Sequence, residues 1–115
     1  MKAKTPKGIL TARITSMGFS RNNLVLWYLE IITEGKYQGM RVTKFSNFQS
    51  EYDSGFAQLH EELNRLGIEL SSTEDIRNVI KILPGREVEI LANKRSGYST
   101  ILVNGYANSQ YFELI

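Results

Sequence analysis

The sequence predicts a single, mainly β domain with a helical insertion. Residues alternate between apolar and polar in three segments before residue 48, and this alternation returns after residue 86. Between about residues 53 and 85 the apolar residues instead recur at spacings of three and four, which is typical of helices. The 115 residues contain no Cys and are enough for one core without disulfides. We expect one domain over residues 1–115, with a core of about 8–106 and a C-terminal extension over 107–115.

The first predicted strand covers residues 8–17. Its apolar side carries Leu10, Ala12 and Ile14, and its other side is polar. The loop "GFSRNN" then leads to a second strand over about residues 23–32.

Both faces of the second strand are rich in apolar residues. Because Glu30 belongs to the set that contains Tyr28, we assign the other set to the core, and it consists of Val25, Trp27, Leu29 and Ile31. A third strand over about residues 40–46 follows the loop "TEGKYQG", in which two glycines permit a tight connection. Large rings at inward positions are usually core, so we expect Trp27 to be buried.

Two short helices are predicted next. In "DSGFAQLHEELNRLG" one apolar stripe contains Phe56, Leu59, Leu63 and Leu66, and Gly67 ends the helix. "SSTEDIRNVIKILPG" has capping-box spacing at Ser71 and Glu74 and ends at Pro-Gly. A final hairpin alternates through "REVEILANKRSGYSTILVNGY" and turns around residues 96–97.

Five strands with helices between the third and the fourth are the arrangement of the oligonucleotide/oligosaccharide-binding barrel, the OB-fold. We therefore predict a five-stranded OB-fold barrel. An open antiparallel sheet with helices on one face has the same element order and is the alternative.

Charge is unevenly distributed along the chain, whose net charge is +2. Residues 1–48 carry a net charge of +6, residues 49–92 of −5 and residues 93–115 of +1. Ten of the twelve aromatic residues lie outside the acidic segment, so rings and positive charge occur together. This asymmetry indicates an anionic partner for the basic part, although an uneven but merely solvated surface is the alternative.

Four segments together resemble the small phage-encoded single-stranded DNA-binding proteins with an OB-fold: "LEIITEGKYQGMRVTKF", "LNRLGIELSSTEDI", "LPGREVEI" and "YSTILVNGY". The resemblance covers about residues 8–106. It implies single-stranded DNA binding in phage replication or recombination, no catalysis, and contacts with replication or recombination proteins. Many relatives end in an acidic tail, whereas this chain ends in "YANSQYFELI", for which we expect an ordered strand or a homo-oligomer contact.

A general binder of single strands needs flat rings for the bases and cations for the phosphates. In OB-folds the second and third strands, with the first and last hairpin loops, provide that surface. The candidate nucleic-acid-binding residues are Phe19, Arg21, Tyr28, Lys36, Tyr37, Arg41, Lys44, Phe45, Lys94, Arg95 and Tyr98. Each has a plainer alternative: the rings could pack, Tyr37 within its own loop, and each cation could be an ordinary solvated charge.

Catalysis has little support in the sequence. The single His60 lies at the edge of an apolar helix stripe, and no nucleophile has an evident partner. Glu87 and Glu89 share a strand face and could hold Mg²⁺ as in a nuclease, but strand-edge solubility explains them more simply. Glu61 and Glu62 fit a solvated helix face. We expect no enzyme, no metal and no cofactor; a protein-interaction or assembly module is the second candidate function and a small metal-dependent nuclease the third.

The sequence contains no run of 18 apolar residues and no signal-peptide pattern after "MKAKTPKG". We therefore expect a protein of the host cytoplasm with no membrane partner.

Overall fold

A computed structural model describes residues 8–21, 23–49, 54–95 and 98–107, with the backbone alone for residues 94, 95 and 98–100. It contains five antiparallel strands in one open sheet and two helices between the third and fourth strands. The elements are β1 Gly8–Ser20, β2 Leu24–Ile31, β3 Arg41–Asn47, α1 Ser54–Arg65, α2 Asp75–Ile82, β4 Glu87–Arg95 and β5 Tyr98–Tyr106. The predicted mainly β class and the position of the helices are confirmed.

The strand order is β3-β2-β1-β4-β5, so β1 is central and β3 and β5 are the two edges. Backbone hydrogen bonds therefore do not close the sheet into a barrel within the described ranges. Helix α1 packs against both edge strands instead. The sheet is open at the β3–β5 seam, and α1 covers that seam.

Strand β1 is longer than predicted because it continues past a β-bulge. Ile14 pairs with Leu29 and Ser16 with Tyr28, which leaves Thr15 as an additional residue on β1. An extra residue reverses the two faces of the strand beyond it. The predicted loop "GFSRNN" is consequently a turn of only a few residues, and Phe19 belongs to the strand.

The glycine that ends α1 acts as predicted. Gly67 has a positive φ of 76°, the left-handed conformation in which glycine is favoured. The Ile68 N–H donates to the Leu63 carbonyl and the Gly67 N–H to that of Asn64, both at 2.9 Å. These two bonds form a Schellman motif, which satisfies the last carbonyls of the helix.

The predicted capping box before α2 does not form. The Glu74 side chain makes no capping hydrogen bond. Instead, the Asp75 carboxylate accepts hydrogen bonds from the backbone N–H groups of Ser71 and Ser72, at 2.8 and 3.1 Å. A carboxylate one position further along replaces the predicted cap because it reaches back to the turn that precedes the helix.

The core lies between the inner face of the sheet and the two helices. The inward set predicted for β2 is confirmed, and Trp27 is fully buried. Its indole Nε1–H donates to the Ser46 hydroxyl at 3.0 Å, which satisfies the one polar atom of a large buried ring. With Trp27 facing inward, its neighbours on β2 face outward.

Candidate nucleic-acid interface

The outer face of β2 and β3 exposes two aromatic rings. Phe45 is 62% exposed and Tyr28 is 40% exposed, whereas most large apolar side chains of this domain are buried. Phe45 lies opposite Leu26 in the register and Tyr28 lies opposite Thr43. The strands hold both rings on the same side of the sheet, so the sequence prediction placed these two residues on the correct face.

A shallow cleft of about 360 Å³ opens on this face beside Tyr28. Its other lining residues include Arg41, and three hydroxyl side chains supply further polar groups: Thr15, Ser16 and Thr43. The Thr15 hydroxyl donates to the Tyr28 carbonyl at 3.0 Å and so fixes the bulge against β2. The cleft places a ring, a guanidinium and hydroxyl groups within one small area.

Arg41 is exposed and lies at the start of β3. Its partner in the register is Glu30, yet Arg41 forms no ion pair with any residue of the described ranges. By contrast, the guanidinium of Arg13 on β1 forms an ion pair with the Glu87 carboxylate at 3.1 Å. The guanidinium of Arg41 is therefore available to an anionic ligand.

Exposed cations stand at both ends of this face. Arg21 lies in the turn between β1 and β2, and Lys36 lies in the loop between β2 and β3. The Lys36 ammonium is 5.0 Å from the centroid of the Tyr37 ring, a cation–π distance. The structure thus brings Tyr28, Arg41 and Phe45 to one face of the β2–β3 hairpin, with Arg21 and Lys36 in the connections at its two ends.

Two predicted stacking rings are placed differently. Phe19 and Tyr37 are half-buried and pack against the core. Phe19 also stacks on Phe48, with 6.5 Å between the ring centroids. The bulge in β1 turns Phe19 toward the core, so its prediction as a loop residue is wrong. Tyr37 takes the packing role that was its alternative.

The predicted phosphate contact at Lys44 is also wrong, because this residue is 4% exposed. Its ammonium lies 3.0 Å from the Glu62 carboxylate and donates to the Ile101 carbonyl at 2.7 Å. Lys44 therefore links β3 to α1 and β5 inside the seam, and phosphate cannot reach it there.

Glu62, predicted to lie on a solvated helix face, is 1% exposed. The Val103 N–H donates to its Oε2 at 2.7 Å, while its Oε1 has no hydrogen-bond partner. Burial raises the pKa of Glu62; Lys44 and the Val103 N–H lower it in part. The carboxylate and Lys44 together occupy backbone groups of β5 that a strand pairing at this edge would use.

The remaining candidates belong to the β4–β5 hairpin. Arg95 and Tyr98 pair at its end, and Lys94 pairs with Ser99. The side chains of Lys94, Arg95 and Tyr98 lie outside the described part of the structure, as do residues 108–115, to which the C-terminal contact was assigned.

The two carboxylates considered for a nuclease are both engaged. Glu87 pairs with Arg13, and the Asn104 amide donates to Glu89 at 2.8 Å. No group of three or more His, Asp or Glu residues suited to a metal ion occurs within the described ranges. These contacts account for Glu87 and Glu89 as structural residues of the sheet.

Sequence reasoning missed Thr15 and Ser16, because the bulge that brings them to the cleft has no clear signal in the alternation. It also missed the polar contact between Lys44 and Glu62. Glu62 lies three residues after Leu59 and four before Leu66, so its position in the buried stripe was the available signal.

Comparison of the sequence with protein-family models and with curated proteins found no match. In the described part of the chain, no helix has the length and apolar character that a membrane span requires.

Proposed function

We propose that this protein binds single-stranded DNA, with little preference for sequence, on the outer face of its β2–β3 hairpin. The observation that carries the proposal is the exposure of Phe45 and Tyr28 on one face beside Arg41, which forms no ion pair with a described residue. Exposed rings on a rigid sheet, with a cation at the start of one of its strands, suit a ligand that has π-faces and negative charge.

We also assign the sheet to the OB-fold class as a partly open barrel. Strands β1, β2 and β3 form a meander, and β4 and β5 continue the sheet on the other side of β1. An OB barrel opened between its third and fifth strands has this order, and the face formed by its second and third strands is the one used for oligonucleotides.

The chemistry of each side chain determines whether it contacts bases or phosphates. Phe45 and Tyr28 stack on two bases, and Tyr28 lines the cleft that also contains Arg41. Arg41, with Arg21 and Lys36 at the two ends of the face, contacts phosphates. Stacking and phosphate contacts are largely independent of base identity, so the expected binding is general.

The resemblance to phage single-stranded DNA-binding proteins assigns this binding to phage DNA replication or recombination. Proteins of those processes are then the natural macromolecular partners. The protein acts by holding unpaired DNA and not by chemical conversion.

Fluorescence anisotropy with labelled oligo(dT), and with a duplex of equal length, tests the proposal at moderate salt. We expect clear preference for the single strand, because duplex bases are stacked on each other and cannot stack on Phe45. Equal affinity for the two forms would contradict the proposal.

The second candidate function is a protein-interaction module, and the same exposed rings support it, because aromatic residues are enriched at protein interfaces. An absence of oligo(dT) binding combined with concentration-dependent self-association in sedimentation would favour that function. If the protein is an interaction module, Phe45→Ala should weaken self-association; if it binds DNA, the same variant should weaken DNA binding.

A further inference from the structure

A second groove lies on the helix side of the β1–β2 turn. It has a volume of about 630 Å³ and runs between that turn and α2. The turn contributes Arg21 and Asn23, and α2 contributes Arg77, Ile80 and Lys81. This groove is distinct from the cleft on the outer face, with which it shares no lining residue.

The groove is strongly cationic. Arg77 and Lys81 are four residues apart on α2, so they project from the same side of the helix. Arg21 faces the same groove from the turn, and Glu74 is the one acidic residue in its lining. None of the three cations forms an ion pair with a residue of the described ranges.

This positive charge stands out against the acidic segment that surrounds it. Residues 49–92 have a net charge of −5, yet the two exposed cations of α2 are both directed to the groove beside the turn. Such local concentration of one sign attracts a polyanion to that place on an otherwise acidic surface.

Arg21 is common to the groove and to the proposed DNA-binding face. The turn that carries it follows the pairing of Ser20 with Leu24, and Leu24 pairs with Asn47, two residues beyond Phe45 on β3. A strand of DNA that leaves the ring of Phe45 in this direction meets the turn next and then reaches the groove on its other side.

We propose that the groove is a phosphate-binding extension of the site, in which Arg77 and Lys81 hold the backbone of single-stranded DNA after it passes over the β1–β2 turn. The proposal rests on the proposed function. It adds two residues from a helix to a site otherwise built on strands, and it makes affinity depend on the length of the oligonucleotide.

The test measures binding of oligo(dT) of about 5 and about 15 nucleotides, which lie near the two ends of the range of about 4 to 16 nucleotides bound per OB-fold. R77A/K81A lowers the net charge by two and introduces alanine, which favours helices, so α2 should remain folded. We expect short-oligonucleotide binding unchanged, and a salt slope for the long one that is shallower by about 1.4, from about 0.7 per phosphate contact.

Arg86→Glu is the control, because it also lowers the net charge by two and lies outside the groove. It should change the binding of short and long oligonucleotides equally and only slightly. Glu74→Gln removes the acidic group from the groove and should strengthen binding of the long oligonucleotide alone.

If R77A/K81A binds the long oligonucleotide with the same salt slope as the wild type, and Phe45→Ala still weakens DNA binding, the proposed phosphate-binding role of the groove is overturned. The proposed function then stands. A wild-type protein that binds neither oligonucleotide overturns both. Equal losses of affinity for the long oligonucleotide in R77A/K81A and Arg86→Glu would also overturn this role, because the change in net charge alone would then explain the loss.

Discussion

Lys44 and Phe45 are neighbours in β3 and lie on opposite faces of the sheet. The lysine is buried under α1, and the phenylalanine is in water. At most positions of a globular protein the two residue types would have exchanged places. The inner region around Lys44 and the outer region around Phe45 thus depart from the usual pattern in opposite senses.

The departures have different physical costs. A buried ion pair loses its hydration, so it persists only where both partners are well bonded, as Lys44 is to Glu62 and the Ile101 carbonyl. An exposed Phe forgoes about 1.5–3 kcal/mol of burial. The first cost is offset by contacts that join β3, α1 and β5 at the open seam. Among the described residues no contact offsets the second cost, which is the basis for proposing that Phe45 contacts a ligand.

Lys44→Met and Trp27→Ala should be the two most destabilising substitutions, and Lys44→Met tests the inner region. It leaves the Glu62 carboxylate buried without its cation, and the loss of one partner of a buried pair typically costs about 3–5 kcal/mol of unfolding free energy. Urea denaturation measures this loss. Because Lys44 is not on the outer face, the salt slope of DNA binding should not change in the folded fraction.

The double variant K44M/E62Q is the matched control. The neutral amide no longer carries an unpaired charge and can still accept from the Val103 N–H, so part of the lost stability should return. A Lys44→Met protein within about 0.5 kcal/mol of the wild type, the range of ordinary surface substitutions, would show that the pair does not join the seam.

Phe45→Ala should weaken DNA binding, whereas Trp27→Ala should lower the stability of the fold. Loss of a stacking ring costs about 1–3 kcal/mol of binding per base and leaves the fold nearly unchanged. Trp27→Ala empties a core site and should cost about 3–5 kcal/mol of stability. Thermal melts and oligo(dT) titrations measure both quantities.

Phe45→Tyr retains a ring and should retain binding, which distinguishes stacking from a change in surface shape. A Phe45→Ala protein that binds oligo(dT) as tightly as the wild type would contradict base stacking on the outer face.

The sequence was sufficient for the elements and for the faces of β2. Alternation located the strands, spacings of three and four located the helices, and a single residue, Glu30, decided which face of β2 is outward. Those signals are local, and the side chains that produce them lie within a few residues of one another. The same local signals placed Tyr28 and Phe45 correctly.

The errors came from features that local patterns do not contain. The bulge at Thr15 reversed the end of β1 and turned Phe19 toward Phe48. The pairing of Lys44 with Glu62 joins a strand to a helix, and each residue alone is of a type that is normally solvated. The open seam follows from the same nonlocal contacts, which no alternation within a strand could predict.

The raised pKa of Glu62 predicts how the seam responds to pH. A carboxyl whose pKa in the folded state exceeds its ordinary value of 4.5 contributes most stability when it is protonated in both states. That contribution falls as the pH rises from about 4.5 through the folded-state pKa, and is constant above it. Desolvation is the main cause of the raised value, ahead of the opposing effect of Lys44.

Melting curves of the wild type and Glu62→Gln, recorded from about pH 4 to about pH 8, isolate this effect because glutamine does not titrate. The melting temperature of the wild type relative to the variant should fall with rising pH. A relative increase would mean that the ion pair outweighs desolvation and that the pKa is lowered.

Arg41→Ala should have the smallest effect and tests the polar half of the outer face. Arg41 lines the cleft beside Tyr28 and has no ion pair within the described ranges, so its removal deletes one phosphate contact without breaking a contact of the fold. On a single strand this should make the slope of log K against log salt shallower by about 0.7.

Arg86→Ala is the control. It makes the same change of charge outside the cleft, where the Arg86 guanidinium lies 6.0 Å from the centroid of the Tyr106 ring, and it should leave the slope unchanged. Titrations with oligo(dT) at four or more salt concentrations resolve the two slopes. Identical slopes for both variants would mean that Arg41 does not touch the DNA backbone, and the phosphate contacts of the outer face would then have to come from Arg21 and Lys36.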